Sequence, residues 1–288
     1  MMPDSPKHTP GGRPDDHRST QTLSVILPVY NEEATIAEVI DRVLDVDLPS
    51  GMGLELIIVE SNSTDQTRRR VLEYSGEPGV TIVLQDGPKG KGYAVREGLR
   101  HVTGDVILIQ DGDLEYQIEE YPMLIAPILS GKADFVLGSR HVPGQRMRTL
   151  TGAKLISWTM NMAHAAFAWL FNLIYQTKLR DPFTMFKVFR AECIEGVNFV
   201  ANRFDFDFEL VAKIVRRGYQ PLEIPVSYTA RGFDHGKKVR FFRDPLTWII
   251  ALVRFRFGPL SVSSGVPGLE GVKRDATTRS SKNREPSE

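Results

Sequence analysis

The stretch Val102–Tyr116, VTGDVILIQDGDLEY, decides how the chain is read. Val106-Ile-Leu-Ile109 is an unbroken apolar run preceded by Gly104, the pattern of a strand buried on both faces of a parallel sheet. It leads straight into Asp111, Gly112, Asp113 and Glu115, so three carboxylates fall within five residues. Like charges this close are costly unless a cation or open solvent compensates them. The carboxyl end of a buried strand is where open α/β sheets bind their ligands. Hard oxygen donors there suit a divalent ion that also grips a phosphate. Asp-Gly-Asp alone favours a plain acidic loop facing water; the buried strand feeding it favours the metal site.

Upstream, the same strand–helix rhythm repeats. Leu23–Pro28 reads as a first buried strand, and Ile36, Val39, Ile40, Val43 and Leu44 have the spacing of a helix over Glu32–Val46, with Asn31 as its N-cap. Leu54–Val59 is a second strand, and Ser63-Thr-Asp-Gln66 matches a capping box that opens the next helix. Val80–Leu84 is a third strand, after which Gly90-Lys-Gly92 enters a helix through Ala94, Val95 and Leu99. This alternation predicts a doubly wound α/β sheet. Downstream, the expected elements are a helix over Glu119–Leu129, a strand over Ala133–Gly138 and a long helix over Lys154–Gln176. A strand over Phe183–Phe189, a helix over Phe206–Arg217 and a strand over Tyr219–Tyr228 follow.

Composition narrows the function classes. The 288 residues carry 36 basic and 36 acidic side chains, so global charge gives no case for nucleic-acid binding. The single cysteine, Cys193, excludes an internal disulfide or a multi-cysteine zinc site and fits a reducing compartment. Residues 1–21 are polar, rich in Pro, Gly and Asp and without an apolar core, and residues 259–288 are similar; both are expected to be disordered tails flanking one domain over 22–258.

Four strand ends carry unusual polar groups: Pro28–Glu32, Glu60–Asp65, Gln110–Asp113 and Gly138–Arg140. In a parallel sheet they gather on one edge and form one site from separate segments. With PVYNE at 28–32, ESNSTD at 60–65, GKG at 90–92, GDVILIQDGDLEY at 104–116, GSR at 138–140 and the Arg231–Asp244 segment, the chain resembles the family 2 glycosyltransferases. The nearer resemblance is to polyprenyl-phosphate sugar synthases of the dolichol-phosphate mannosyltransferase type. It implies a GT-A fold, a doubly wound mixed sheet with peripheral amphipathic helices at about 152–176 and 245–257.

It further implies that Pro28, Tyr30 and Glu32 line a nucleotide pocket, that Glu60 faces the base, and that Lys91 belongs to the donor site. Asp111, Asp113 and Glu115 then hold Mg²⁺ or Mn²⁺ against the diphosphate of a GDP- or UDP-hexose. Relatives usually carry two aspartates at Glu60-Ser61 and alanine at Gly112. Arg140 and Lys154 match the family's acceptor-phosphate positions, Arg146 and Arg148 lie nearby in sequence, and Lys237 and Lys238 sit in a segment that closes over the family's active site. The implied reaction moves a hexose, mannose or glucose, to a polyprenyl phosphate.

A hydroxyl acceptor would instead require a carboxylate base, for which Asp207 is the candidate; its plainer role is a helix N-terminal carboxylate. A non-catalytic nucleotide-sugar-binding subunit is the third alternative. Leu155–Tyr175 is interrupted by Ser157, Thr159, Asn161, His164 and Asn172, and so reads as an interfacial rather than a spanning helix. The apolar run Trp248–Val253 lies between Lys237, Lys238, Arg240 and Arg243 on one side and Arg254 and Arg256 on the other, which suits an anionic membrane surface. The expected location is peripheral, at the cytoplasmic face of a membrane.

Overall fold

A computed structural model describes residues 21–141, 154–229 and 244–260. Seven strands form one mixed sheet in the order β3-β2-β1-β4-β6-β5-β7. They are β1 (Thr22–Val29), β2 (Gly53–Glu60), β3 (Val80–Leu84), β4 (Val106–Ile109), β5 (Phe135–Ser139), β6 (Lys187–Arg190) and β7 (Leu222–Pro225). The helices are α1 (Ile36–Leu44), α2 (Thr67–Leu72), α3 (Lys91–Gly98), α4 (Tyr121–Leu129), α5 (Lys154–Tyr175), α6 (Asp205–Arg216) and α7 (Asp244–Phe257).

β4 is the centre of the sheet, parallel to β1 on one side and antiparallel to β6 on the other. Its side chains alternate between two cores, as a period of two requires. Val106 and Leu108 join a core with α1 and α4, whereas Ile107 and Ile109 join one with α3, α5, α6 and α7. That explains why β4 reads as a continuous apolar run: no residue of it faces water.

Several local expectations are corrected. Asn31 does not cap α1, which begins at Ile36; it takes a left-handed conformation, φ 52°, and turns its amide to Thr64. The capping box at Ser63–Gln66 does not form either, because α2 starts at Thr67 and Ser63 Oγ accepts from the Asn31 N–H. In both turns, bonds between the two loops displace the local cap. Phe183–Phe186 lies outside β6, and β7 is shorter than the apolar pattern of Tyr219–Tyr228.

α5 packs through Ala168, Phe171 and Tyr175, and the Tyr175 hydroxyl donates to the Leu252 carbonyl of α7 at 2.7 Å. Its Trp158, Met162, Trp169 and Leu173, spaced along one helical face, are exposed, as are Ile250, Val253 and Phe257 of α7. Among the described residues, no helix is long and apolar enough to cross a membrane.

Candidate active site

The carboxyl ends of β1, β2, β4 and β5 share one edge of the sheet, because β6 runs antiparallel to both β4 and β5. The first two ends are laced together. The Glu32 N–H donates to Thr67 Oγ1 at 2.8 Å, the Thr64 N–H to Asn31 Oδ1 at 2.9 Å and the Gln66 N–H to Glu33 Oε2 at 2.9 Å. Pro28, Tyr30 and Glu32 are half-buried along this wall. Glu60 departs from its expected place against a base. It is fully buried, and its oxygens accept from the N–H groups of Ser63 (2.7 Å) and Asn62 (3.2 Å) and from Arg68 Nε (2.5 Å). Arg68 also reaches the Gln85 carbonyl at the end of β3, so Glu60 organises the loop that bounds the wall.

At the end of β4 the acidic loop is held from several sides. Thr35 Oγ1 donates to the Gly112 carbonyl at 2.8 Å, and Gln110 is fixed by the Tyr121 hydroxyl at 3.0 Å. A Cβ at Gly112 would meet Glu32 Cγ at 3.4 Å, an ordinary contact, so the alanine of relatives fits here too. The expected trio of metal ligands does not converge. Asp111 is ion-paired with Lys91, Asp113 Oδ1 accepts from the Glu115 N–H at 3.1 Å, and Glu115 Oε2 accepts from the Tyr228 hydroxyl at 2.8 Å. Among the described residues no three acidic, His or Cys side chains form a metal-holding group. Asp111 and Asp113 still provide the hard oxygens that Mg²⁺ takes when substrate phosphates supply the rest. The Lys91 ammonium already occupies a cation's place at Asp111. The donor set therefore fits a divalent ion without Glu115.

Lys91 opens α3 between two glycines, and the packing explains them. A Cβ at Gly92 would fall 2.5 Å from Phe206 Cβ, and one at Gly90 would fall 2.3 Å from the Asn202 carbonyl oxygen. The bare backbone thus seats the start of α3 directly against the start of α6. That contact brings Lys91 close to Asp207. Burial alone would push the Lys91 pKa down, but Asp111 and then Asp207 overrule it and raise the value. Asp207 is 2% exposed, and its Oδ1 accepts from Lys187 Nζ at 2.7 Å. Its Oδ2 is buried with no hydrogen-bond partner among the described residues. Lys187 is fully buried and also donates to the Thr184 carbonyl; burial lowers its pKa despite the neighbouring carboxylate.

The acceptor side centres on Arg140, just past β5. Sequence reading expects an arginine available to a phosphate, but Arg140 is buried and bidentate to Asp181, at 2.7 and 2.8 Å. Its guanidinium lies 5.4 Å from the Tyr228 ring centroid. Asp181 also accepts from the Arg140 N–H at 3.0 Å, and burial, which would raise its pKa, is outweighed by Arg140, which holds it well below the usual carboxylate range. His164 of α5 stands 3.4 Å from Asp181, and burial pushes its pKa down to about 4. The Lys154 side chain, Arg146, Arg148, Lys237 and Lys238 lie outside the described residues.

Asp181, Lys187, Tyr228 and His164 were not legible as site residues. Asp181 leaves one faint signal, a single acid in a Pro-Phe turn before an aromatic strand; the others have no local motif.

A seven-stranded mixed sheet with acidic and basic groups gathered at its parallel strand ends has the architecture of the GT-A glycosyltransferases. Residues 24–193, more than half the chain, match the family model "Glycosyl transferase family 2", and the chain belongs to that family. It is 29% identical over 254 residues to a dolichol-phosphate mannosyltransferase of Pyrococcus furiosus, covering 87% of this chain and 69% of that one. It is 26% identical to an undecaprenyl-phosphate 4-deoxy-4-formamido-L-arabinose transferase of Edwardsiella ictaluri, covering 77% of this chain and 64% of the other. Among solved structures, glucosyl-3-phosphoglycerate synthase from Mycobacterium tuberculosis in complex with uridine diphosphate shares the fold. That likeness has a TM-score of 0.60 at 23% identity and covers 88% of this chain and 87% of that one. The same protein with Mn²⁺, uridine-diphosphate-glucose and phosphoglyceric acid gives a TM-score of 0.60 over 83% of this chain and 81% of its own.

Proposed function

We propose that this glycosyltransferase moves a hexose, mannose or glucose, from a GDP- or UDP-sugar to a polyprenyl phosphate, with inversion at the anomeric carbon and dependence on Mg²⁺ or Mn²⁺. The donor would lie along the β1–β2 wall, between Pro28, Tyr30 and Glu32, with its diphosphate facing Asp111 and Asp113. A divalent ion held by those two carboxylates would supply neutralisation of the charge that gathers on the leaving nucleoside diphosphate. Lys91 adds a positive charge near the same group.

The observation that carries the choice of acceptor is the exposed apolar face shared by α5 and α7. Four large apolar side chains of α5 and three of α7 lie open. His164, on α5, lies 3.4 Å from the Asp181 that holds Arg140, so the helix runs past the proposed acceptor site. Lys178 and Arg180, just after α5, and Arg254 of α7 are exposed as well. Such an arrangement fits an anionic membrane surface, from which a lipid phosphate would enter near Arg140. The peripheral location on the cytoplasmic membrane face follows from the same reading. A phosphate oxygen is already anionic and attacks without a strong base, so the enzyme's task is positioning and relief of charge repulsion.

A soluble hydroxyl acceptor is favoured by one observation, that Asp207 Oδ2 has no hydrogen-bond partner among the described residues, since a hydroxyl needs a base. The two readings separate in one assay. Labelled GDP- and UDP-hexoses are offered with a polyprenyl phosphate and Mn²⁺, and the organic phase is counted. Label entering that phase, with Asp207→Asn only mildly impaired at saturating Mn²⁺, is the expected result. No organic-soluble product from any donor, with transfer to water-soluble hydroxyls lost in Asp207→Asn, would overturn it.

A further inference from the structure

Asp111 is an expected metal ligand, yet the Lys91 ammonium already sits on its Oδ1. A divalent ion arriving at Asp111 meets a resident cation. The lysine backbone is closely seated, because Gly90 and Gly92 lie against the Asn202–Phe206 segment at distances that leave no room for a Cβ. Across the tight contact of Gly92 with Phe206 stands Asp207, whose charge Lys91 already feels and whose Oδ2 is buried and without a hydrogen-bond partner among the described residues. A buried carboxylate oxygen left without a donor is an unmade interaction.

Resting on the metal reading above, we infer that Lys91 is a two-position counter-ion, paired with Asp111 in the metal-free chain and with Asp207 Oδ2 once a divalent ion occupies Asp111. Lys187 holds the other oxygen of Asp207 and so keeps this second position in place. Charge balance gives the switch its order. Asp111, Asp113 and Asp207 against Lys91 and Lys187 carry a net charge of −1. A divalent ion alone would turn that to a net positive charge in a largely buried site, whereas a nucleoside diphosphate arriving with it restores the balance. Metal and donor therefore bind with positive coupling, and the lysine suppresses premature metal binding. Coupling of this kind is reciprocal, so it is readable from either ligand.

The test is Mn²⁺ affinity, read by the electron paramagnetic resonance of the free ion, with and without UDP or GDP. Lys91→Met is expected to tighten donor-free Mn²⁺ binding by roughly tenfold or more, the size of effect a neighbouring charge produces. Lys91→Gln should move it in the same direction. Asp207→Asn should do the opposite, weakening Mn²⁺ binding in the presence of nucleotide, because Lys91 loses its second position. General damage to the fold would not give effects of opposite sign, and Asp207→Asn carries the test if the Lys91 variants fail to fold. Unchanged Mn²⁺ affinity in the variants, with wild-type protein binding Mn²⁺ alongside nucleotide, overturns the counter-ion alone. Failure of the wild-type protein to bind Mn²⁺ even with nucleotide overturns the metal reading and the counter-ion together.

Discussion

The two halves of the sheet are built on different principles. From β1 to β4 every strand is parallel, each crossover carries a helix, and the loops at the strand ends bond to one another across adjacent strands. From β5 to β7 an antiparallel strand is inserted between two parallel ones, and the polar groups are paired over long sequence separations. Arg140 finds Asp181 41 residues away, and Glu115 finds Tyr228 113 residues away. The first half places Asp111 and Asp113 at the end of β4 beside Lys91 and buries Glu60 against Arg68; the second buries Arg140 against Asp181 and Lys187 against Asp207. On the proposed reading the donor side adds an external cation to its own Lys91, whereas the acceptor side relies on its own Arg140.

The largest expected effect breaks the donor half. Asp113→Ala should lower the transfer rate by roughly a thousandfold or more, the loss of several kcal/mol of charge stabilisation, measured with labelled donor at saturating Mn²⁺. Near-normal activity would remove Asp113 from the metal site.

Next is the buried pair behind it. Lys187→Met removes the cation paired with Asp207 Oδ1 and should cost about 3–5 kcal/mol in urea unfolding. The double variant Lys187→Met, Asp207→Leu should recover most of that loss, since two apolar groups replace the ion pair. No recovery would mean that Asp207 is sustained by Lys91 rather than by Lys187.

On the acceptor side the test is pH. The folded-state pKa of His164 is about 4, against an ordinary 6.5, because burial disfavours the imidazolium. Between those values the unfolded chain binds a proton that the folded chain refuses. This contribution to stability is complete above pH 6.5 and is lost as pH falls towards 4, an effect on the order of 2–3 kcal/mol. His164→Gln should flatten the stability curve across that window, and denaturant midpoints measured at intervals through it would show a persisting slope if the histidine is not responsible.

The smallest effect concerns the exposed apolar face. Trp169, 66% exposed, packs little against the protein. Trp169→Ser should leave stability within about 0.5 kcal/mol while weakening sedimentation with anionic vesicles by roughly tenfold. Equal vesicle binding would remove α5 from the membrane contact.

The same division governs what the sequence discloses. β4 is legible residue for residue, because a strand buried on both faces leaves an apolar run with nowhere else to go. The positions of Asp111, Asp113 and Arg140 at strand ends are legible for the same reason, though the pairing of Arg140 with Asp181 is not. What was not legible depends on contacts between distant segments. Asn31 has the residue type of an N-cap, but the loop after β2 lies beside it and takes its amide. Glu60 has the position of a base contact, but Arg68 and two loop N–H groups claim it. Glu115 shares an acidic run with Asp113, yet Tyr228, brought in beside β5, draws it away. Periodicity reports which face a residue takes and is silent about which partner arrives from elsewhere.

The central claim is that Asp111 and Asp113, at the end of β4, bind a divalent ion together with the donor diphosphate. Calorimetric titration of UDP and GDP into the chain, with and without Mn²⁺, in wild-type protein and in Asp113→Ala, tests it most directly. The account predicts that Mn²⁺ tightens binding of the cognate nucleotide by roughly tenfold or more in the wild-type protein and that the enhancement disappears in the variant. Nucleotide affinity indifferent to Mn²⁺, or an enhancement that survives Asp113→Ala, would contradict it.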